Sequence, residues 1–216
     1  MELAAIIISV ISLLVSGYVA YEAYLKGPKP EMIVGTNFYF YPAPLIRQDG
    51  LIWGGIGFYI PITFYNWSPK GGSIIEVRIA LRRKDNPSEV YNMTWSEFSK
   101  MLEDERRWGQ EGTAQPIALQ GRSSESKVIQ FAWLPSAEKK INLKSGRYKM
   151  TIYAWTKRQE KPNLKESFEF KIKEDHVERF EKGEENQFPL TIELSLRENS
   201  RANSLLTESE LKQLYE

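Results

Sequence analysis

The 216-residue chain has one histidine and no cysteine, so few of its residue types can do chemistry. His176 lies in KEDHVERFEKG, among Glu174, Asp175, Glu178 and Arg179. A serine hydrolase would need it as general base, with the nucleophile on a tight G-x-S-x-G turn. No such motif occurs, and the histidine reads as a solvated residue on a surface helix. Without cysteine there is no thiolate nucleophile, disulfide framework or iron–sulfur cluster. One histidine alone is a poor donor set for zinc or another transition metal. The acidic run Glu103, Asp104 and Glu105 in MLEDERRWG contains the carboxylates that a hydrolase pair requires. Adjacent charges on one helix, however, form a solvated face far more readily than a cleft. No EF-hand loop, P-loop or dinucleotide fingerprint is present, and GGIG at Gly54–Gly57 is too short to cradle phosphate. No catalytic residue, cofactor or metal is expected, and a hydrolase ranks last among the functional readings.

Binding chemistry has more material. Six Trp, 11 Tyr and 10 Phe make the chain 12% aromatic. Large rings favour strands, and flat rings also stack on sugar faces. Tyr153 and Trp155 fall on the outward face of an alternating segment, which makes them the candidate ligand-stacking pair; the competing reading is that they pack against a second layer. The formal charge of +1 and pI near 7.8 leave no basic footprint for nucleic acid. Arg82-Arg83-Lys84, Arg106-Arg107 and Lys157-Arg158 are interleaved with acids and read as ordinary surface charge. They would meet anionic head groups only if the domain lay on the inner leaflet.

These residues need elements to position them. Leu3 to Leu25 reads LAAIIISVISLLVSGYVAYEAYL, uncharged as far as Ala20. At about 1.5 Å per residue it reaches across a hydrocarbon core of about 30 Å. Tyr18, Tyr21 and Tyr24 fall near its end, where amphipathic rings settle at an interface. Gly27, Pro28 and Pro30 then stop the helix. The start, Met1-Glu2, lacks the positive charge of a cleavable signal peptide. Residues 1–25 are therefore expected to be a retained single-pass membrane anchor, followed by a linker over 26–31. Lys26 and Lys29 follow the span, so the positive-inside rule predicts the amino terminus outside and the folded domain in the cytoplasm.

From 32 to 198 the dominant period is two. Ile56, Phe58, Ile60, Ile62 and Phe64 alternate, with Pro61 marking an edge or bulge. Ile75, Val77, Ile79 and Leu81 follow the turn NWSPKGG. Further alternations are Ile129–Phe131–Trp133, Tyr148–Met150–Ile152–Ala154, Phe168–Phe170–Ile172 and Leu190–Ile192–Leu194–Leu196, and Met32–Tyr41 reads as one more strand. Seven to nine short strands predict a mainly β domain, an immunoglobulin-like β-sandwich with short accessory helices. Thr94-x-x-Glu97 forms a capping box with a Met93/Phe98 staple, so a helix is expected from there to Arg106, with Trp95, Phe98, Met101 and Leu102 as its stripe. A short helix is expected over Glu174–Lys182, and Gly109–Thr113 and Gly183–Gln187 read as loops. Residues 199–216 read as a linker and a short amphipathic helix capped by Thr207 and Glu210. Its face Leu211, Leu214 and Tyr215 is too short-lived alone in water and is the candidate partner-binding segment.

The anchor, Lys26, Pro28, the strand Ile60-Pro61-Ile62-Thr63-Phe64-Tyr65-Asn66, Gly71-Gly72, Ile75 and Val77 together resemble uncharacterised bacterial single-pass membrane proteins with an immunoglobulin-like domain. That resemblance implies a fold and no activity. The leading expectation is a non-catalytic, membrane-tethered module that binds a protein partner at the membrane. The alternative is an envelope-side ligand binder, for example a glycan-binding sandwich, which requires the domain outside the cytoplasm.

Overall fold

The structure, a computed structural model, describes residues 2–48, 50–102, 107–134 and 141–196. Glu103–Glu105 and the tail with Leu211, Leu214 and Tyr215 lie outside the described residues.

Residues Glu2–Ala20 form helix α1, and Tyr21–Leu25 continue as a π-helical turn. Among the described residues the segment Leu3–Ala20 is packed against no other element, and it is long and apolar enough to span a membrane. Lys26 ends the helix in an extended conformation.

The rest is mainly β, with strand accounting for 55% of the described residues. The strands are β1 (Pro30–Val34), β2 (Asn37–Arg47), β3 (Gly50–Asn66), β4 (Gly72–Ile74), β5 (Glu76–Arg83), β6 (Tyr91–Leu102), β7 (Arg107–Thr113), β8 (Ile117–Leu119), β9 (Ser123–Trp133), β10 (Gly146–Trp155), β11 (Leu164–Ile172) and β12 (Ile192–Ser195). Helix α2 (Glu174–Glu185) joins β11 to β12. Ten strands make one antiparallel sheet in the order β11-β10-β5-β6-β9-β3-β2-β12, with β1 on β3 and β7 on β6; β4 and β8 pair separately.

Strand β6 belongs to both halves. Its first residues pair with β5 and the following ones with β9, so one strand turns the sheet over on itself. The two ends of the sheet approach each other where Phe38 meets Phe168 at 5.7 Å and Phe170 at 5.1 Å, ring centre to ring centre. The half built on β9, β3 and β2 is nearly barrel-shaped. Inside lie Phe38, Phe40, Phe58, Phe64 and Phe131 with Ile56, Ile60, Ile62, Ile79 and Leu81, all essentially inaccessible. Each large side chain so buried contributes about 1.5–3 kcal/mol. Phe180 of α2 closes the open end by stacking on Phe40 at 5.9 Å, and Gly183, buried in that helix, lies against the Pro42 ring.

Prolines sit where a donor is not needed. Pro61 falls where the neighbour of β3 changes from β1 to β2, and its carbonyl there accepts the N–H of Gly35 at 2.8 Å. That break also splits the expected single strand Met32–Tyr41 into β1 and the start of β2. Pro42 and Pro44 lie beyond the end of β12, and β2 bulges at Pro44.

Over Thr94–Leu102 the expected helix is instead strand β6, residues 103–106 lying outside the described ones, and the expected loop Gly109–Thr113 is part of β7, its antiparallel partner. The physical cause is the register irregularity at Trp95/Glu97 against β9, which inserts Ser96 into the alternation of β6. The irregularity at Phe98/Ser99 puts its extra residue, Glu111, on β7. Met93 and Trp95 are therefore followed by Phe98, a spacing of three that imitates a helical stripe. Helix α2 forms where expected but runs on through Gly183.

Candidate functional site

At the end of the sheet opposite the anchor, a cavity of about 250 Å³ opens between the β5–β6 connection and the start of β10. Strand β5 delivers Arg83, β6 begins at Tyr91, and antiparallel register places Tyr148 of β10 opposite Arg83. Gly146, at φ 143°, adopts a conformation that other residues reach only with strain and turns the chain into β10. Asn86, Glu89, Ile141, Asn142 and Lys144 complete the wall.

The wall is held by its own hydrogen bonds. Tyr148 Oη donates to the Lys144 carbonyl at 2.8 Å and accepts the Lys144 N–H at 3.2 Å. Tyr91 donates to Glu89 at 3.1 Å and stands edge-on to Trp133 at 5.3 Å. Burial pushes the phenols of Tyr148 and Tyr91 above their ordinary pKa, with the Glu89 carboxylate adding to the effect at Tyr91. Both stay protonated at neutral pH and serve as hydrogen-bond partners, not bases. Arg83 pairs through Nη2 with Asp85, while its Nε is buried without a partner. A fixed guanidinium, a carboxylate, two phenols and two amides suit recognition of a polar group. No histidine, serine or threonine is among the described residues that line this cavity.

A second cluster occupies the outer face of the barrel-like half. The bulged end of β6 and its partner β7 fold over that face and carry Trp108 onto Tyr59 (5.1 Å) and Tyr39 (5.2 Å). Tyr41 stacks on Tyr59 at 4.7 Å and lies over Gly57, where a side chain would overlap its ring. Gln130 Nε2 donates to Tyr41 Oη. Gln130 Oε1 and Ser99 Oγ are buried without partners. Burial raises the Glu97 carboxyl above its usual pKa. This cluster is filled by its own rings.

The residues singled out in the sequence fall elsewhere. Trp155 is buried, 8% exposed, with the Arg78 guanidinium 5.2 Å from its ring centre. Tyr153 is half-buried, with Lys165 Nζ 5.9 Å from its ring centre. The two do not form a shared open platform; alternation fails there because the strand end is covered. His176 stands at the start of α2, where its Nδ1 accepts the Lys173 N–H at 3.4 Å, and its ring contacts Phe40 at 6.4 Å. It caps the helix. No cluster of three or more His, Cys, Asp or Glu residues with metal-binding geometry occurs among the described residues.

The cavity residues were not legible in advance. Arg83 read as the middle of the basic run Arg82-Arg83-Lys84 and Tyr148 as the first member of a core alternation. Only the β5–β10 register makes them neighbours. No known family model matches the chain, and no curated protein matches it.

Proposed function

We propose that the chain is a membrane-tethered, non-catalytic interaction module that engages a protein partner at the end of its sheet farthest from the anchor. The observation that supports this reading is the Arg83–Tyr91–Tyr148 cavity. At about 250 Å³ it is smaller than the pockets of about 300–1,000 Å³ that enclose drug-sized ligands. It is the right size for one side chain inserted by a partner, and buried aromatic and arginine residues are the usual anchors of such contacts. Strand β5 places it roughly 23 Å from the anchor side, at about 3.3 Å per residue.

In this reading α1 is retained as a single span, and Lys26 and Lys29 keep the domain in the cytoplasm. The tail segment with Leu211, Leu214 and Tyr215 supplies a second contact to the same partner. Kinship with immunoglobulin-like sandwiches belongs to the same proposal. It is supported by the pairing of β5 with β10 and β3 with β9 over one core.

A photo-crosslinking residue at Asn86, on the exposed rim, tests the binding site in cells. A discrete protein adduct is expected, lost on Tyr91→Ala and absent when the probe sits at Lys165. If Asn86 and Asn142 both yield none while the protein stays folded, the reading fails. The envelope-side alternative has one supporting observation: two tyrosines beside two asparagines also suit a polyol. It requires the domain outside the cytoplasm and oligosaccharide binding that Tyr148→Phe weakens.

A further inference from the structure

The linker between helix and domain is short and locked. Lys29 donates its N–H to Asn66 Oδ1 at 3.2 Å, and its carbonyl accepts the Trp67 N–H at 3.2 Å. Pro28 packs against Gly72. The helix and its π turn end at Leu25, so four residues, at most about 14 Å of chain, separate that end from the Asn66–Trp67 turn. A helical span of 24 residues, about 36 Å long, already exceeds a hydrocarbon core of about 30 Å and ends among the head groups. The turn is therefore carried to the membrane surface by chain length alone.

The composition of that end suits the place. Trp67 is 55% exposed, and its ring sits 4.3 Å from that of Tyr65. Its indole N–H already donates to Glu31 at 2.7 Å, so the ring can enter an interface without leaving a donor unpaired. Lys29, Lys70 and Arg122 are exposed around it. The loop 156–163, which closes the same end of the sheet between β10 and β11, adds exposed Lys157, Arg158 and Lys161. Against these six cations stand Glu31 and Glu160 in the turn and loop, with Glu76, paired to Arg78, and Glu125 at the adjoining strand ends.

Building on the tethered reading above, we propose that this end of the domain is a lipid-contact face. It seats Trp67 and Tyr65 in the head-group layer of an anionic phospholipid surface and so holds the domain in one orientation, its cavity directed away from the membrane. Anionic lipid complements the excess of Lys and Arg, and the locked linker removes the freedom that would let the domain tumble on its tether.

Six tryptophans lie at 53, 67, 95, 108, 133 and 155, and none is in the helix. Quenching by lipids brominated near the head group therefore reports on the domain. Full-length protein in vesicles of phosphatidylcholine with about one third phosphatidylglycerol should show partial quenching. Trp67→Phe should abolish most of it, and Lys157→Glu with Arg158→Glu should reduce it severalfold. As a second measurement, a nitroxide on Lys70→Cys should be shielded from an aqueous relaxation agent, while one on Asn86→Cys should stay fully accessible. Protein that floats with the vesicles but shows no quenching, or quenching unchanged by Trp67→Phe, would overturn the lipid-contact face and leave the tether intact. Protein that does not float at all would overturn the tether, and the face with it.

Discussion

The ring of Tyr41 occupies the space above Gly57 that any side chain at that position would claim. Strand β3 can carry only glycine there because β2 lays an aromatic across it, in register Tyr41 opposite Gly57. Gly57→Ala should cost about 1–3 kcal/mol through overpacking. Tyr41→Ala added to it should cost less than the sum of the two singles, since removing the ring removes the clash. Chemical unfolding of the four proteins of this cycle measures the coupling, and additive costs would contradict the contact.

Asn66 is fully buried and uses its whole amide. It accepts from Lys29 and Ser68 and donates to the carbonyls of Lys70 and Gln120, both at 2.9 Å. Asn66→Ala strands buried backbone groups on three segments and should cost about 3 kcal/mol. Hydrogen exchange should quicken at Lys29 and Ser68 ahead of the core strands.

Glu97 provides a pH test. Its folded pKa is raised by burial, so the folded state binds the proton more tightly than the unfolded chain. The stability it contributes is fully present below the unfolded carboxylate pKa and is lost as pH rises through the folded one. Glu97→Gln should therefore raise the melting temperature at pH 7 and do little at pH 4. An equal shift at both pH values would argue against a desolvated carboxyl.

Trp155 packs under Arg78 at the end of β10. Trp155→Ala should destabilise the fold by about 3 kcal/mol, as large-to-small changes in covered positions do. Thermal unfolding reads this directly. Unchanged stability would restore the open-platform view of this side chain.

The absence of native cysteine makes sidedness measurable. Ser88 is exposed in the β5–β6 connection, away from the anchor. With the domain in the cytoplasm, Ser88→Cys should react with a membrane-impermeant maleimide only after lysis, and Glu2→Cys in intact cells. The reverse pattern would move the domain to the envelope side and favour the ligand-binding alternative.

Local pattern by itself determined the apolar helix at Leu3–Ala20, the core-facing sets Phe58–Ile60–Ile62–Phe64 and Val77–Ile79–Leu81, the alternation in β10 and β11, and helix α2. Those features are written in neighbouring residues, because a side chain's direction in a helix or regular strand depends on spacing alone. Tertiary structure decided the rest. Residues 94–102 read as a helix because a bulge between Trp95 and Glu97 turns a period of two into a spacing of three, and that bulge lies where partner strands compete for register. The same competition broke Met32–Tyr41 into β1 and β2 at Pro61. It also set Arg83 opposite Tyr148, which formed the cavity, and carried Trp108 across to Tyr59. Register is a contest among segments distant in sequence, settled by which pairing buries the most apolar surface, and no window of neighbouring residues contains that outcome.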